Sequence, residues 1–587
     1  MPGPVPLEKW PIDDAGPRVA RGAKRPRAIA WFGFSAFWGH LRHLVASVIA
    51  TENIDSRQWM IPEAPDVLLG RVLEIIGPRA TRTSAQAMAQ REGTLAEAMG
   101  GEVWIDFVSD CGDDVTVSEV VAQLFVAEYV VDDPDVKGQT LVLPRGDILF
   151  LGGDLSYPVA TVREMTRRLV EPWNRVLEKH TAGAPRVLLA VPGNHDWYDG
   201  LDGFSRLCQA PCAFEDAVPA SDPLHPQPEE HPVLAWAEAF ARGDQVKKPT
   251  ALALAGYLAV QRASYFRFPL APGIDLFGVD RQLKRIDVRQ QAYFAIPGAP
   301  ARMVVMPDPA RAWGEQRPHG TATLESLGIV MEKNPTLLLA GDVHHYERSA
   351  EGRSLHVVAG GGGAFLHGAR IAKDDAQYPV DAEFPGPRAS WKLLLGLPVF
   401  AALGRAGWIL PAVFAVGDAV ALEEHFRAGV RSSAVVALAI SLIVAFGTAV
   451  LVGWRRHRAA RVVPFATALG LTIGAIPVAV GVGIDALAMR VMGPWVAFAG
   501  ALVLATMASS FLFGVMLMLL ARLGLNHAQA YAAMGSAGYK HFVRLRVTAG
   551  EGGMSYVDAW VVGVVDPVAR PKAVLVDSFR FDPFSGA

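Results

Sequence analysis

The stretch Ile148-Leu149-Phe150-Leu151-Gly152-Gly153-Asp154 is a short apolar run that stops at two glycines and an aspartate. The pattern returns at Val187 to Val191, which runs into Pro192-Gly193-Asn194-His195-Asp196. It returns again at Leu337 to Ala340, which runs into Gly341-Asp342-Val343-His344-His345. Short apolar runs punctuated by glycine read as buried strands. Each strand end then presents a carboxylate, an amide or an imidazole, and such ends are where layered α/β proteins carry their chemistry. The set can hold two metal ions around one water or hydroxide, which points to hydrolysis of a phosphoester.

The surrounding chain fits that placement. From Glu102 the pattern alternates strand, loop and helix. Val103 to Val108 predicts a strand, Val117 to Val130 a helix, and Thr161 to His180 a charged amphipathic helix. Further strands are expected at Tyr265 to Phe268, Ile274 to Val279, Met303 to Val305 and His356 to Ala359. Pro211 to Pro232, rich in proline and acidic residues, reads as a surface loop. The fold class is therefore layered α/β, with strands facing a common core. Residues 101–390 form the catalytic unit in this reading, and residues 1–100 an N-terminal extension packed on it. Within that extension Arg21, Lys24, Arg25 and Arg27 precede an apolar run from Ala28 to Gly39, as in a secretory signal. His40, Arg42 and His43 follow at once with no small-residue cleavage site, so a first strand and helix is the favoured reading. Trp31, Phe32, Phe34, Phe37 and Trp38 also suit a surface resting on a membrane.

Composition narrows the partners. The chain has 587 residues, a net charge of −3 and three cysteines. That charge, with a pI near 6.6, gives no electrostatic footprint for nucleic acid. Three cysteines make no disulfide framework and fit a reduced compartment. Cys208 and Cys212 are spaced for a loose metal pair, but no second pair completes one.

Near Trp391 the composition changes. Ser433 to Trp454, Val462 to Ile484 and Trp495 to Leu520 are each long and apolar enough to cross a bilayer. Leu393 to Ala421 is weaker, because Arg405 and Asp418 interrupt it. Residues 391–520 thus predict three to four transmembrane helices. Arg455, Arg456, Arg458 and Arg461 place the loop between the second and third spans in the cytoplasm. Four crossings then leave both flanks cytoplasmic, with the lipid bilayer as a partner; three would separate them. Asp418, Asp485 and Arg490 lie near span ends, which gives an ion path little support. In the tail, residues 521–587, Asn526 to His541 reads as helix. Phe542 to Val547, Tyr556 to Val565 and Ala573 to Phe581 read as strands. Strands need partners, so the tail is expected to complete a sheet of the catalytic unit across the membrane block.

Within the site, Asp110 ends the first strong strand and Asp154 repeats its position on another. A carboxylate between two cations can bridge them. Asn194 offers a neutral oxygen. His195 suits a proton donor facing the leaving group, with Asp196 accepting its other N–H. Asp342 and His344, two apart, can share a side and serve as ligands. His345 reads as a packing or hydrogen-bonding group, and His367, after Gly360 to Gly363, as structural.

The order Asp110, Gly153-Asp154, Gly193-Asn194-His195-Asp196, Gly341-Asp342-Val343-His344 resembles the calcineurin-like metallophosphoesterase family, over roughly Glu102 to His367. Gly341-Asp342-Val343-His344-His345-Tyr346, Arg262 to Phe266 and Gly278 to Gln282 are similar to a membrane-attached branch of it. The resemblance implies a β-sandwich flanked by helices and a dinuclear site of Mn, Fe, Mg or Zn. A metal-bridging hydroxide would attack phosphorus in line. Asp110, Asp154 and His344 would hold one metal, Asp154 and Asn194 the other, and His195 would protonate the leaving oxygen. Three departures stand out. Gly112 occupies the place of a first-motif histidine, with Asp113 or water as substitute. Asp342 replaces the first histidine of the last motif. Met303 to Pro309 offers only Asp308 where a lone histidine is expected, with His319 ten residues beyond Pro309. Extra carboxylates favour Mn, Mg or Fe over a nitrogen-rich zinc site.

The expected function is a membrane-anchored phosphatase acting on a mono- or diester such as a phosphorylated lipid precursor, a nucleotide or a phosphoprotein. The alternative is a non-catalytic metal- or phosphate-binding membrane sensor.

Overall fold

The structure is a computed structural model that describes residues 3–10, 29, 60–80, 93–210, 252–281, 288–331, 333–372, 376–453, 459–487, 493–550 and 554–585. The aromatic run 31–38, the loop 211–232 with Cys212, Gln282, Arg455, Arg456, Arg458 and Arg490 lie outside them.

Two large sheets carry the soluble part. One has eight strands in the order Glu8–Lys9, Arg570–Phe581, Tyr556–Asp566, Lys540–Thr548, Glu102–Val108, Ile148–Leu151, Arg186–Ala190 and Tyr257–Ala259. The last four are mutually parallel, and the three C-terminal strands join antiparallel. The other sheet has seven strands in the order Ala382–Phe384, Tyr346–Glu351, Ser354–Ala359, Thr336–Ala340, Ala301–Met306, Ile274–Gly278 and Phe266–Ala271. Its central four are parallel.

Alternation along the strands builds two cores. Ile105, Phe107, Phe150 and Leu189 of one sheet meet Leu276, Met303, Val305 and Leu339 of the other in one buried cluster, so the sheets pack face to face. Val543, Leu545 and Val561 from the tail belong to that same cluster, as do Leu68, Val72 and Ile76 of the helix Pro65–Ile76. The opposite faces of the same strands, through Leu188, Phe542 and Val562, pack on the helices Val115–Val126 and Glu171–Leu177. The parallel strands of both sheets deliver the motif loops at their carboxyl ends.

Several elements differ from the sequence pattern. The helix expected at Val117 to Val130 starts at Val115, where the Asp114 carboxylate accepts the N–H of Thr116 at 2.8 Å and of Val117 at 3.2 Å. It ends at Val126, and the β-prone Tyr129–Asp132 turns into a separate strand. The helix read at Thr161 to His180 contains a π-turn at Thr166–Val170, just before Pro172, which has no N–H for an interior helical bond. Tyr346–Glu351 is a strand that its polar sequence conceals. The tail helix is only Gln529–Met534, because Gly535 takes a left-handed conformation and the next strand begins at Lys540.

Among the described residues, three helices are long and apolar enough to cross a membrane, at Val430–Ala449, Val462–Leu487 and Pro494–Arg522. The weaker stretch is broken into Pro387–Leu394, Leu397–Ala402 and Ile409–Ala428. The last of these packs on the long helices. Ser509 donates to Asp418 at 3.2 Å, Phe414 meets Phe513 at 6.0 Å, and His425 Nε2 lies 2.8 Å from Asp485.

Candidate functional site

Asp110, Asp154 and Asp342 follow three different strands, and all three have left-handed φ, at 60°, 51° and 62°. Non-glycine residues adopt that region at a cost that clusters at functional sites. The glycines beside them are needed for a different reason. A Cβ on Gly341 would collide with Ser109 Oγ and the Asp110 carboxylate, and one on Gly193 with the Asp154 carboxylate. The loops therefore approach closely enough for their side chains to meet.

They meet at a residue that sequence reasoning missed. The Tyr157 hydroxyl lies 2.9 Å from Asp110 Oδ1, 3.4 Å from Asp154 Oδ2 and 3.1 Å from His344 Nε2. His344 Nε2 is also 3.3 Å from Asp110 Oδ1. The other ring nitrogen of His344 donates to the Phe365 carbonyl at 2.7 Å, which fixes the tautomer and turns the Nε2 lone pair inward. His367 stacks on His344 with centroids 4.2 Å apart and accepts its backbone N–H at 3.0 Å. Burial holds His367 well below the usual imidazole range, so it serves as a neutral acceptor. The signal for Tyr157 was its place three residues after Asp154.

The second Asp110 oxygen accepts Ser109 Oγ at 2.8 Å and the Asp342 N–H at 3.1 Å. Burial and the neighbouring Asp110 and Asp196 push the Asp154 carboxyl well above the usual range. Burial, then Asp110 and Asp154, do the same to the Tyr157 phenol. Several acidic groups thus repel one another in a site with little water, and a cation among them would reverse those shifts. Among the described residues, no group of three or more His, Cys, Asp or Glu forms a metal-holding cluster by itself. The phenol is the group that links Asp110, Asp154 and His344, and an oxygen-rich set with one imidazole suits Mn, Mg or Fe.

Asn194 donates its amide N–H to the Tyr198 hydroxyl at 3.0 Å. His195 is buried beside Tyr157, ring centroids 4.5 Å apart. Its orienting partner is not Asp196. His195 Nδ1 bonds the Pro158 carbonyl at 2.7 Å, whereas Asp196 accepts the backbone N–H of Gly193 at 2.8 Å, Asp154 at 2.9 Å and Leu155 at 3.2 Å. Burial raises Asp196 to about 7 against the pull of those three donors. Asp196 therefore ties two motif loops together, a use of a short carboxylate that competes with any longer reach.

A Cβ on Gly112 would press on the Leu155 carbonyl at 3.1 Å and the Arg168 Cβ at 3.2 Å, so a side chain there would need its neighbours to give way by a few tenths of an ångström. Asp113 is buried and accepts the Ile29 N–H at 2.8 Å, and burial lifts it to about 6. His319 sits exposed on the helix Pro318–Ser326. His345 is fully buried, 3.2 Å from Glu347, whose carboxylate also accepts the Trp313 N–H at 2.6 Å. Cys208 is buried and its thiol is raised by burial. Asp308 forms an ion pair with Arg281, and Asp342 lies 3.5 Å from Arg317. Burial raises Asp308 to about 7, with Asp342 adding to the rise and Arg281 and Arg317 opposing it.

No protein-family model matches this chain, and no curated protein matches it. Among solved structures it is similar to one described as GAP50, the anchor in the inner membrane complex of Plasmodium. That likeness has 9% identity over 48% of this chain and 78% of that one, with a TM-score of 0.29. It is also similar to the structure of PhoD, at 11% identity over 45% of this chain and 58% of that one, with a TM-score of 0.22. Likenesses this distant carry no argument, and the site is read from its own geometry.

Proposed function

We propose that the chain is a membrane-anchored, metal-dependent phosphoester hydrolase with its catalytic face in the cytoplasm. The observation that carries the reading is the convergence of Asp110, Asp154, Tyr157 and His344 on one point. They come from the ends of three strands in two sheets, Asp154 and Tyr157 from the same one. These four would hold a divalent ion. When bound, that ion supplies Lewis acidity to a phosphoryl oxygen and a water made acidic enough to react. The chain supplies the rest. His195, with Nδ1 committed to Pro158, passes a proton through Nε2 to the leaving oxygen. Asp154 accepts the His195 backbone N–H at 2.8 Å, so the proton donor and the ion-holding carboxylate are fixed to one another. Asp196 holds both loops in register.

Anchoring follows from topology. Glu102–Val108 and Lys540–Thr548 pair in one sheet, so the segments on either side of the membrane block lie on the same side of the bilayer. The number of crossings is then even, and Ile409–Ala428 is the fourth. The arginines at 455, 456, 458 and 461 put the shared side in the cytoplasm.

The test is turnover of an aryl phosphate and a bis-aryl phosphate by the purified full chain. It is run with Mn²⁺, Mg²⁺, Fe²⁺ and Zn²⁺, beside Asp154→Ala and His195→Ala. Metal-dependent turnover that is lost in Asp154→Ala supports the hydrolase, and His195→Ala is expected to lower it less, because an aryl leaving group needs little proton transfer. No turnover above Asp154→Ala with any metal overturns it in favour of a metal- or phosphate-binding membrane sensor.

A further inference from the structure

Metallophosphoesterases of the resembled kind hold a second ion with histidines, and the corresponding groups here do not fit one. Asp308 follows the strand Ala301–Met306 and Asp342 follows Thr336–Ala340. Those strands are parallel neighbours in which Met306 pairs with Ala340, so both aspartates stand two residues beyond the same rung. Each already has a cation. Arg281, at the end of the adjoining parallel strand Ile274–Gly278, is ion-paired with Asp308, both largely buried. Arg317 reaches Asp342 at 3.5 Å and lies over the Trp313 ring at 5.4 Å. A metal ion at this place would face two guanidiniums that stay charged at any working pH.

Resting on the hydrolase reading, we propose that Arg281 and Arg317 replace the second metal. The site then holds one ion, and the two guanidiniums bind the phosphoryl oxygens of the substrate.

The placement supports this use. Asp280, next to Arg281, is locked by Trp197 Nε1 at 3.0 Å and Ser264 Oγ at 2.5 Å. The Arg317 N–H is held by the Ala310 carbonyl at 2.8 Å. Both cations are therefore anchored through backbone and carboxylate. A guanidinium has five N–H donors, so an aspartate on one edge leaves others for a phosphate, the anion whose geometry it matches.

The experiment measures metal content and phosphate binding rather than turnover. The full chain in detergent is saturated with Mn²⁺ and analysed for bound metal, then titrated calorimetrically with inorganic phosphate. Because removing one arginine strands a buried carboxylate, the variants are the neutral pairs Arg281→Gln with Asp308→Asn and Arg317→Gln with Asp342→Asn. Thermal unfolding confirms that they fold. The expected result is one Mn²⁺ per chain in all three proteins and at least a tenfold loss of phosphate affinity in each variant. Two Mn²⁺ per wild-type chain, or unchanged phosphate affinity in both variants, overturns the proposal while leaving the hydrolase intact. A wild-type chain that binds no Mn²⁺ yet loses phosphate affinity in the variants supports the arginine pocket and sinks the metal-dependent reading.

Discussion

Arg544 and Asp106 face each other across adjacent strands, Nε to Oδ1 at 2.7 Å and Nη2 to Oδ2 at 3.1 Å, although 438 positions separate them in the chain. Neither is exposed. The remaining guanidinium hydrogens go to the carbonyls of Phe125 at 2.6 Å and Ala127 at 2.8 Å, closing the end of the helix Val115–Val126, and of Leu143 at 3.2 Å. One side chain thus fastens the tail, the first motif strand and the helix behind it.

Losing that fastener leaves a carboxylate buried without its cation. Arg544→Met is expected to cost about 3–5 kcal/mol of stability, the usual penalty for breaking a buried pair. Denaturant unfolding of the purified chain measures it. A chain ending at Leu520 lacks Lys540–Thr548 altogether and is expected not to fold; a stable, soluble, active fragment would contradict the shared sheet.

The donor set predicts an order of metal affinity. Divalent ion added to the wild-type chain should raise its unfolding temperature, by about 2.7 kcal/mol of stability at a hundredfold excess over Kd. Asp154→Asn should abolish the rise. Tyr157→Phe should reduce it without abolishing it, because Asp110, Asp154 and His344 remain. An undiminished rise in Tyr157→Phe would remove the phenol from the site.

His195→Gln isolates proton transfer. General acid catalysis contributes about 10²–10⁴-fold, and less where the leaving group needs no proton. The variant should lose at least a hundredfold in kcat on an alkyl phosphate and far less on a nitrophenyl phosphate. Equal losses on both would mean that His195 positions the loop rather than donating a proton.

How much of this was legible follows from how each residue is held. Asp154, His195 and His344 could be read because an apolar strand and a glycine announce each one, and Asp110 because an apolar strand ends just before it; the parallel strands bring those ends together. Tyr157 could not be read so readily: an aromatic in a loop carries no period, and only the packing shows three acceptors meeting at its hydroxyl. Asp196 was given to His195 because the two are adjacent, yet three backbone amides reach it first. Asp308 and Asp342 showed in sequence as missing histidines. Arg281 and Arg317 lie distant in the chain and become their partners only when neighbouring strands align. The strand Tyr346–Glu351 stayed hidden because its polar residues find buried partners, Glu347 on Trp313 and Arg348 on Asp577.

Lys540 predicts a pH effect in an uncommon direction. It is fully buried beside the site, donates to the Ala364 carbonyl, and burial pulls it from 10.5 to about 7. The folded state holds this proton less tightly than the unfolded chain. The cost of burying the charge is therefore complete below pH 7, and stability should rise as pH climbs from about 7 towards 10.5. Lys540→Met should be the more stable protein at pH 6, with the gap narrowing by pH 9. A gap that does not change with pH would mean that the ammonium stays charged in the fold.

The proposed even number of crossings gives the last prediction. The strand Lys540–Thr548 lies between Tyr556–Asp566 and Glu102–Val108, so its sheet cannot be divided by a bilayer. Three apolar helices alone would divide it. Ile409–Ala428 is 20 residues long, sufficient for about 30 Å of hydrocarbon, and its one buried acid, Asp418, is bonded to Ser509 on the last long helix. Epitope tags at residue 1 and residue 587 should therefore respond alike to protease, both protected in intact cells and both cut once the membrane is permeabilised. A tag between Ile409–Ala428 and Val430–Gly453 should be cut from outside. Asp418→Leu should keep that topology, because it removes a carboxylate that costs about 2.5–3.5 kcal/mol at the centre of a span. Opposite protection of the two terminal tags would require three crossings and would exclude the pairing of Arg544 with Asp106 in a single chain.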